Sequence, residues 1–230
     1  MKHLKLFAAL CCAAAAFAAC DKTDEPNAKQ SNDHDTKNDT KEAVDLGVSV
    51  KWATCNVGAT APEEYGNYYA WGETDTKKTY SWDDYRYGFS REELTKYNTA
   101  GYSRNSPSVD NKTVLEPADD VATQNWNEAW RTPTKDEWTE LREQCDWKRT
   151  TLKGVKGYEV KGKNGNSIFL PAAGYYYGQM PYNANYGYYW SSSLCADSPY
   201  GAWNIYFSSD FSYMVNYFRV YGLSVRPVQE

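Results

Sequence analysis

The chain has 230 residues, 30 acidic against 25 basic, and a formal net charge of -5 at neutral pH. That acidity argues against nucleic-acid partners and against a polybasic membrane-binding patch. With 21 Tyr and 9 Trp, the expected core is ring-rich and full of turns rather than a helical bundle.

In chain order, Lys2 and Lys5 precede an apolar, Ala-rich run over residues 6–19 that ends in Phe17-Ala18-Ala19-Cys20. A charged start, a short apolar stretch and small residues at its end read as a secretory signal. The run is too short for a comfortable membrane span. It resembles a bacterial lipoprotein signal, which implies a signal peptide over 1–19 and lipidation of Cys20. Asp21, Asp24 and Glu25 follow at once and resemble the surface-export signal of Bacteroides-type lipoproteins, whereas other bacteria read an early Asp differently. The expected place is therefore the outer membrane and cell surface, reached through the lipid anchor only. Residues 22–41 are Asp, Asn, Lys, Thr and Ser with almost nothing apolar, so residues 20–43 form a lipidated Cys and flexible tether. Residues 44–230 are long enough for one domain with its own core.

Within that domain, residues 48–53 alternate apolar and polar with period two and predict a half-buried strand. Residues 67–72 form a second, aromatic strand candidate, and residues 91–97 a helical turn. Thr134 and Glu137 make a T-x-x-E capping box, with Pro133 just ahead. Trp138, Leu141 and Cys145 then recur on one helical stripe. Strands are predicted at 157–160 and 167–170, joined through the Asn-Gly turn of Lys163-Asn164-Gly165-Asn166. Further strands fall at 188–193, 203–208 and 223–228. Along 203–208, Trp203, Ile205 and Phe207 share one face, and Asn204, Tyr206 and Ser208 share the other, predicted to face outward.

Cys11 and Cys12 lie within the leader, leaving Cys55, Cys145 and Cys195 in the domain. An oxidising compartment permits one disulfide, and Cys55 with Cys145 is the candidate pair because both lie in framework-like segments. Three scattered Cys with no CxxC and no domain His do not suit zinc, and no cofactor is expected. The two histidines, His3 and His34, lie in the leader and tether, so a Ser-His-Asp triad is not expected in the domain. Asp83-Asp84 and Asp119-Asp120 offer oxygen ligands for calcium, but neither shows the dense spacing of a binding loop. Solvated acidic loops are the simpler reading.

Trp130-Arg131-Thr132-Pro133-Thr134-Lys135-Asp136-Glu137-Trp138 resembles the "R-L-P-T-E-x-E-W" helix of the formylglycine-generating enzyme superfamily. Gly222-Leu223-Ser224-Val225-Arg226-Pro227-Val228 matches the end of such domains. The opening Asp45-Leu46-Gly47-Val48-Ser49-Val50-Lys51-Trp52-Ala53-Thr54-Cys55-Asn56-Val57-Gly58-Ala59, with Tyr69-Ala70-Trp71-Gly72-Glu73-Thr74 and Leu170-Pro171-Ala172-Ala173-Gly174-Tyr175, resembles the Fibrobacter succinogenes major paralogous domain of Bacteroides lipoproteins. The resemblance implies an α+β, C-type-lectin-like fold with short twisted antiparallel sheets, one or two helices and many loops. Formylglycine-type chemistry needs a close pair of copper-binding cysteines, and Cys145 and Cys195 stand far apart in sequence. No catalytic residue is assigned, and the domain is expected to bind rather than catalyse. An oxidoreductase relative and a structural adhesin component are the alternatives.

Residues 175–221 hold 12 of the 21 tyrosines, a density that favours an interaction surface. The expected ligand-binding residues are Tyr200, Asn204, Tyr206, Ser208, Phe211, Tyr213, Asn216, Tyr217, Phe218 and Tyr221, and the expected partner is a protein or glycan at the cell surface. Trp130, Trp138, Trp190, Trp203, Ile205, Phe207 and Val225 are expected as buried framework. The run also resembles the C-terminal variable region of lectin-fold proteins diversified by retroelements. That would make Cys195, Val220 and most of the ligand-binding set products of adenine-directed mutagenesis. A fixed Tyr-rich surface is the other reading.

Overall fold

The computed structural model describes residues 41–99 and 109–230, which belong to one compact unit running from Lys37 to Glu230. The expected leader, the lipidation candidate Cys20, and His3 and His34 lie outside the described residues.

The domain is α+β, built from small antiparallel sheets, two helices and long irregular segments. β1 (Ala43–Asp45) and β2 (Lys51–Ala53) pair antiparallel, and β11 (Val228–Gln229) joins β2 on its other side. Further along the chain come the short helix α1 (Val121–Asn125) and the helix α2 (Lys135–Gln144). A second sheet runs β3 (Asp146–Leu152), β4 (Val155–Lys161), β5 (Ser167–Pro171), in that order. β6 (Tyr175–Tyr177) and β7 (Met180–Tyr182) form a hairpin. The last sheet holds β8 (Gly187–Leu194), β9 (Gly201–Phe207) and β10 (Ser212–Phe218), with β9 in the middle.

Helix α2 starts where the sequence places it. The Thr134 hydroxyl accepts from the Glu137 backbone N–H at 3.2 Å, and the Glu137 carboxylate accepts from the Thr134 N–H at 2.7 Å. Arg131 adds a bidentate pair to Glu137, at 2.6 and 2.8 Å. Trp138 and Leu141 are fully buried. Trp138 packs 4.5 Å from Trp52 and donates its indole N–H to the Trp190 carbonyl.

The β8–β9–β10 sheet divides the interior into two cores. One face presents Tyr189, Ile205 and Phe207 to Trp138, Leu141, Tyr158, Val160 and Leu170, from α2 and the β3–β4–β5 sheet. The other presents Tyr188, Trp190 and Ala202 to Trp71, Tyr85, Tyr97 and Val220, mostly from irregular segments. Indole N–H groups tie those segments to the sheet: Trp71 donates to the Ser191 carbonyl and Trp190 to the Tyr69 carbonyl, both at 2.8 Å.

Several expectations need correction. The strand over 48–53 shortens to Lys51–Ala53, and residues 67–72 make only an isolated bridge, Tyr69 to Leu223. Residues 91–97 are not helical, because Tyr97 adopts φ +54 and Leu94 bridges to Gly88. The run 223–228 threads between elements as single bridges until Val228 joins β2. Cys55 and Cys145 form no disulfide. The Cys55 sulfur points to the Ala59 carbonyl at 3.5 Å, whereas Cys145 caps α2 and packs into the core beside Trp138. Trp203 is half-buried rather than buried, with the Lys135 ammonium 3.8 Å from its ring centre.

Candidate functional site

Two buried arginines hold the C-terminal segment in place. Arg219, directly after β10, is fully buried and donates to the carbonyls of Lys96, Tyr97 and Pro199 and to the Tyr85 hydroxyl. Arg226, also fully buried, donates to Asn56 and to the carbonyls of Ala53 and Phe169. Between them lies the turn carrying Tyr221. A guanidinium facing several carbonyls satisfies acceptors that would otherwise be buried without donors.

On this frame, rings form an unbroken chain. Phe211 stacks on Tyr213 at 4.9 Å between centroids, Tyr213 lies 5.9 Å from Tyr206, and Tyr206 lies 5.0 Å from Tyr188. Tyr188 contacts Tyr175 at 4.9 Å, and Tyr175 stacks on Tyr221 at 5.5 Å. Tyr221 then meets Phe218 at 5.5 Å, and Phe218 meets Tyr200 at 5.7 Å. Such offset and edge-on pairs hold each other rigid. Tyr188 is buried beneath the chain, while Phe211 (46% exposed) and Tyr213 (41%) stand at its open end. Tyr200, Tyr206, Tyr217, Phe218 and Tyr221 are half-buried, and Asn216 is exposed.

A cleft of about 400 Å³ opens among Tyr175, Tyr200, Asn216, Tyr217, Phe218 and Tyr221. A second, of about 270 Å³, lies across the Phe218–Tyr221 ridge, with Trp82, Phe89, Arg91 and Tyr177 on its walls. The Arg91 guanidinium rests 4.4 Å from the centre of the Phe218 ring.

Eight of the ten expected residues therefore gather on one side. Asn204 and Ser208 do not: Asn204 is 0% exposed and Ser208 5%. The sheet is covered on both faces near β8, so the face opposite Ile205 and Phe207 is open at Tyr213 but closed over Asn204 and Ser208. Asn204 instead donates to the Val215 carbonyl inside the hairpin. Cys195 and Val220 are buried too. Missed from the sequence were Tyr175, Tyr177, Tyr182, Phe89 and Arg91. The Tyr-dense stretch already contained the first three; nothing in the local pattern of Gly88-Phe89-Ser90-Arg91 marks the other two.

Burial and neighbouring phenols push the Tyr221 hydroxyl up to about 12. Burial likewise raises Tyr175, Tyr206 and, most strongly, Tyr188. These hydroxyls stay protonated at neutral pH and act as hydrogen-bonding tips on apolar rings. Asp83 and Asp84 are exposed, whereas the Asp119-Asp120 pair is buried rather than solvated and is engaged within the fold. Asp119 accepts from Tyr87, Tyr97 and Lys96, and Asp120 caps α1 and accepts from Thr132. Among the described residues no group of three His, Cys, Asp or Glu is placed to hold a metal ion, and no helix is long and apolar enough to cross a membrane.

A family model described as a domain of unknown function (DUF8237) matches residues 147–228. The match runs from β3 to the first residue of β11, and so includes the whole ring chain. No curated protein and no solved structure matches the chain.

Proposed function

We propose that the chain is a surface-displayed, lipid-anchored outer-membrane protein whose C-type-lectin-like domain binds a protein or glycan through its Tyr-rich C-terminal face, without catalysis. The observation that carries this reading is the continuous ring chain from Phe211 to Tyr200, open at Phe211 and Tyr213 and cleft at Tyr217, Phe218 and Tyr221. Exposed rings with few rotamers lose little entropy on docking and combine apolar area with a polar tip. Burial raises the Tyr175 and Tyr221 phenols, which suits hydrogen bonding better than proton transfer near pH 7.

The test is a glycan and protein array probed with the purified chain, followed by Tyr213→Ala and Tyr221→Ala. Each substitution should weaken the ligand found by at least about tenfold, the loss typical of a buried interface anchor. Full binding by the double variant would remove the face from consideration. Retroelement diversification of the same positions is a separate genomic question. It requires a reverse transcriptase gene and an adenine-rich near-copy of the gene's 3′ end beside this one.

A further inference from the structure

Strand edges are templates for pairing with another chain, and folded proteins blunt them by shortness, charge, proline or a covering segment. In this domain the other edges carry such devices. β3 has Asp146, Lys148 and Arg149 along its open edge, and β1 is three residues long. β7 is equally short and contains Pro181. β5 is covered by the Arg226 side chain, which donates to the Phe169 carbonyl, and by the Tyr189 hydroxyl, which donates to the Pro171 carbonyl. β8 is bridged to Val114 and Ser224. β10 has α2 packed against one face through Met214, but it is not short and carries neither charge nor proline. Its seven residues, Ser-Tyr-Met-Val-Asn-Tyr-Phe, hold no charge and no proline, and among the described residues only β9 pairs with it.

We infer that two copies of this chain associate by antiparallel pairing of β10 with its counterpart, making a six-stranded sheet across a two-fold axis at Val215. The strand is complementary to itself in that register. Val215 meets Val215, Tyr213 meets Tyr217, Met214 meets Asn216 and Ser212 meets Phe218. Aromatic cross-strand pairs of this kind stabilise antiparallel sheets, and no like charges face each other. Tyr206 and Tyr213 sit side by side across the β9–β10 ladder, so the ring chain of one copy continues into that of the next. Charge fits at the ends. Exposed Asp210 lies two residues before β10, and the register carries it two residues past the second copy's Phe218, on which Arg91 rests. The two Asp210 carboxylates stay about 33 Å apart, ten strand residues at about 3.3 Å each. One surface patch serves both partners, as closed two-fold symmetry requires.

The inference goes beyond ligand docking and does not depend on it. The test is sedimentation velocity over a concentration series on the whole chain, kept unlipidated by Cys20→Ser. The expected result is a monomer–dimer equilibrium that Asn216→Lys, at an exposed position one residue from the axis, shifts to monomer with unchanged circular dichroism. On mild oxidation Val215→Cys should give a covalent dimer and Ser212→Cys should not, because only residue 215 faces itself. A chain that is monomeric at every concentration overturns the inference, as does a dimer that ignores Asn216→Lys and fails to cross-link through Val215→Cys. Ligand binding by such a monomer would leave the docking face intact and remove only the self-pairing.

Discussion

Arg219 shows how much one residue decides at this site. Its neighbours Phe218 and Val220 belong to different environments, a cleft wall and a core, and the guanidinium holds the chain where it passes between them. Replacing it leaves the carbonyls of Lys96, Tyr97 and Pro199 buried without their donor. Arg219→Met should therefore cost at least about 3 kcal/mol in urea denaturation, several lost buried acceptors at about 1–3 kcal/mol each. Asp119 and Glu137 bear on acid stability. Burial alone would raise both carboxyls. For Asp119 that is outweighed by Lys96 and the Tyr87 and Tyr97 hydroxyls, and for Glu137 by Arg131 and the Thr134 cap, so both lie below their ordinary values. A depressed carboxyl stabilises the fold fully above its unfolded pKa and loses that contribution as pH falls through the folded one. Asp120, raised by its burial, acts in the opposite sense. Denaturation midpoints should accordingly be flat from pH 7 to about 5 and drop below about pH 4, and Asp119→Asn should flatten that drop. No residue pattern announced Arg219, because its acceptors lie about 20 and 120 residues away in sequence.

At the scale of elements, α2 was legible because its determinants are neighbours: a cap, an N3 glutamate and a 3–4 spaced apolar stripe. Thr134→Ala should cost about 1 kcal/mol, the usual worth of an N-cap, read as a lowered thermal midpoint. β4, β5, β8 and β9 were legible for the same reason. β3 was not, since its tight turn to β4 is Lys153-Gly154, with φ +45 and +88, and Lys is uncommon in that left-handed position. The Asn-Gly pair predicted a hairpin between these strands, and β4 and β5 do pair antiparallel across the 162–166 loop that holds it. β10 went unread because Ser-Tyr-Met-Val-Asn-Tyr-Phe has no clean alternation of polar and apolar, being half-covered on both faces. That same uncharged composition makes its edge available for self-pairing.

Across the whole molecule, two cores flank one sheet, and irregular segments supply much of the second. This arrangement decides which rings reach water. Sequence alone was enough for the aromatic endowment, the capped helix, the principal strands and the gathering of tyrosines near the chain's end, because each depends on residues close in sequence. It could also show that the two faces of β9 differ. It could not show that both would be covered near β8, which put Asn204 and Ser208 inside, nor that Phe89 and Arg91 would join the Phe218–Tyr221 ridge. Those outcomes rest on contacts between segments a hundred or more residues apart, where alternation marks that two sides exist but only tertiary packing chooses which one is left open to water.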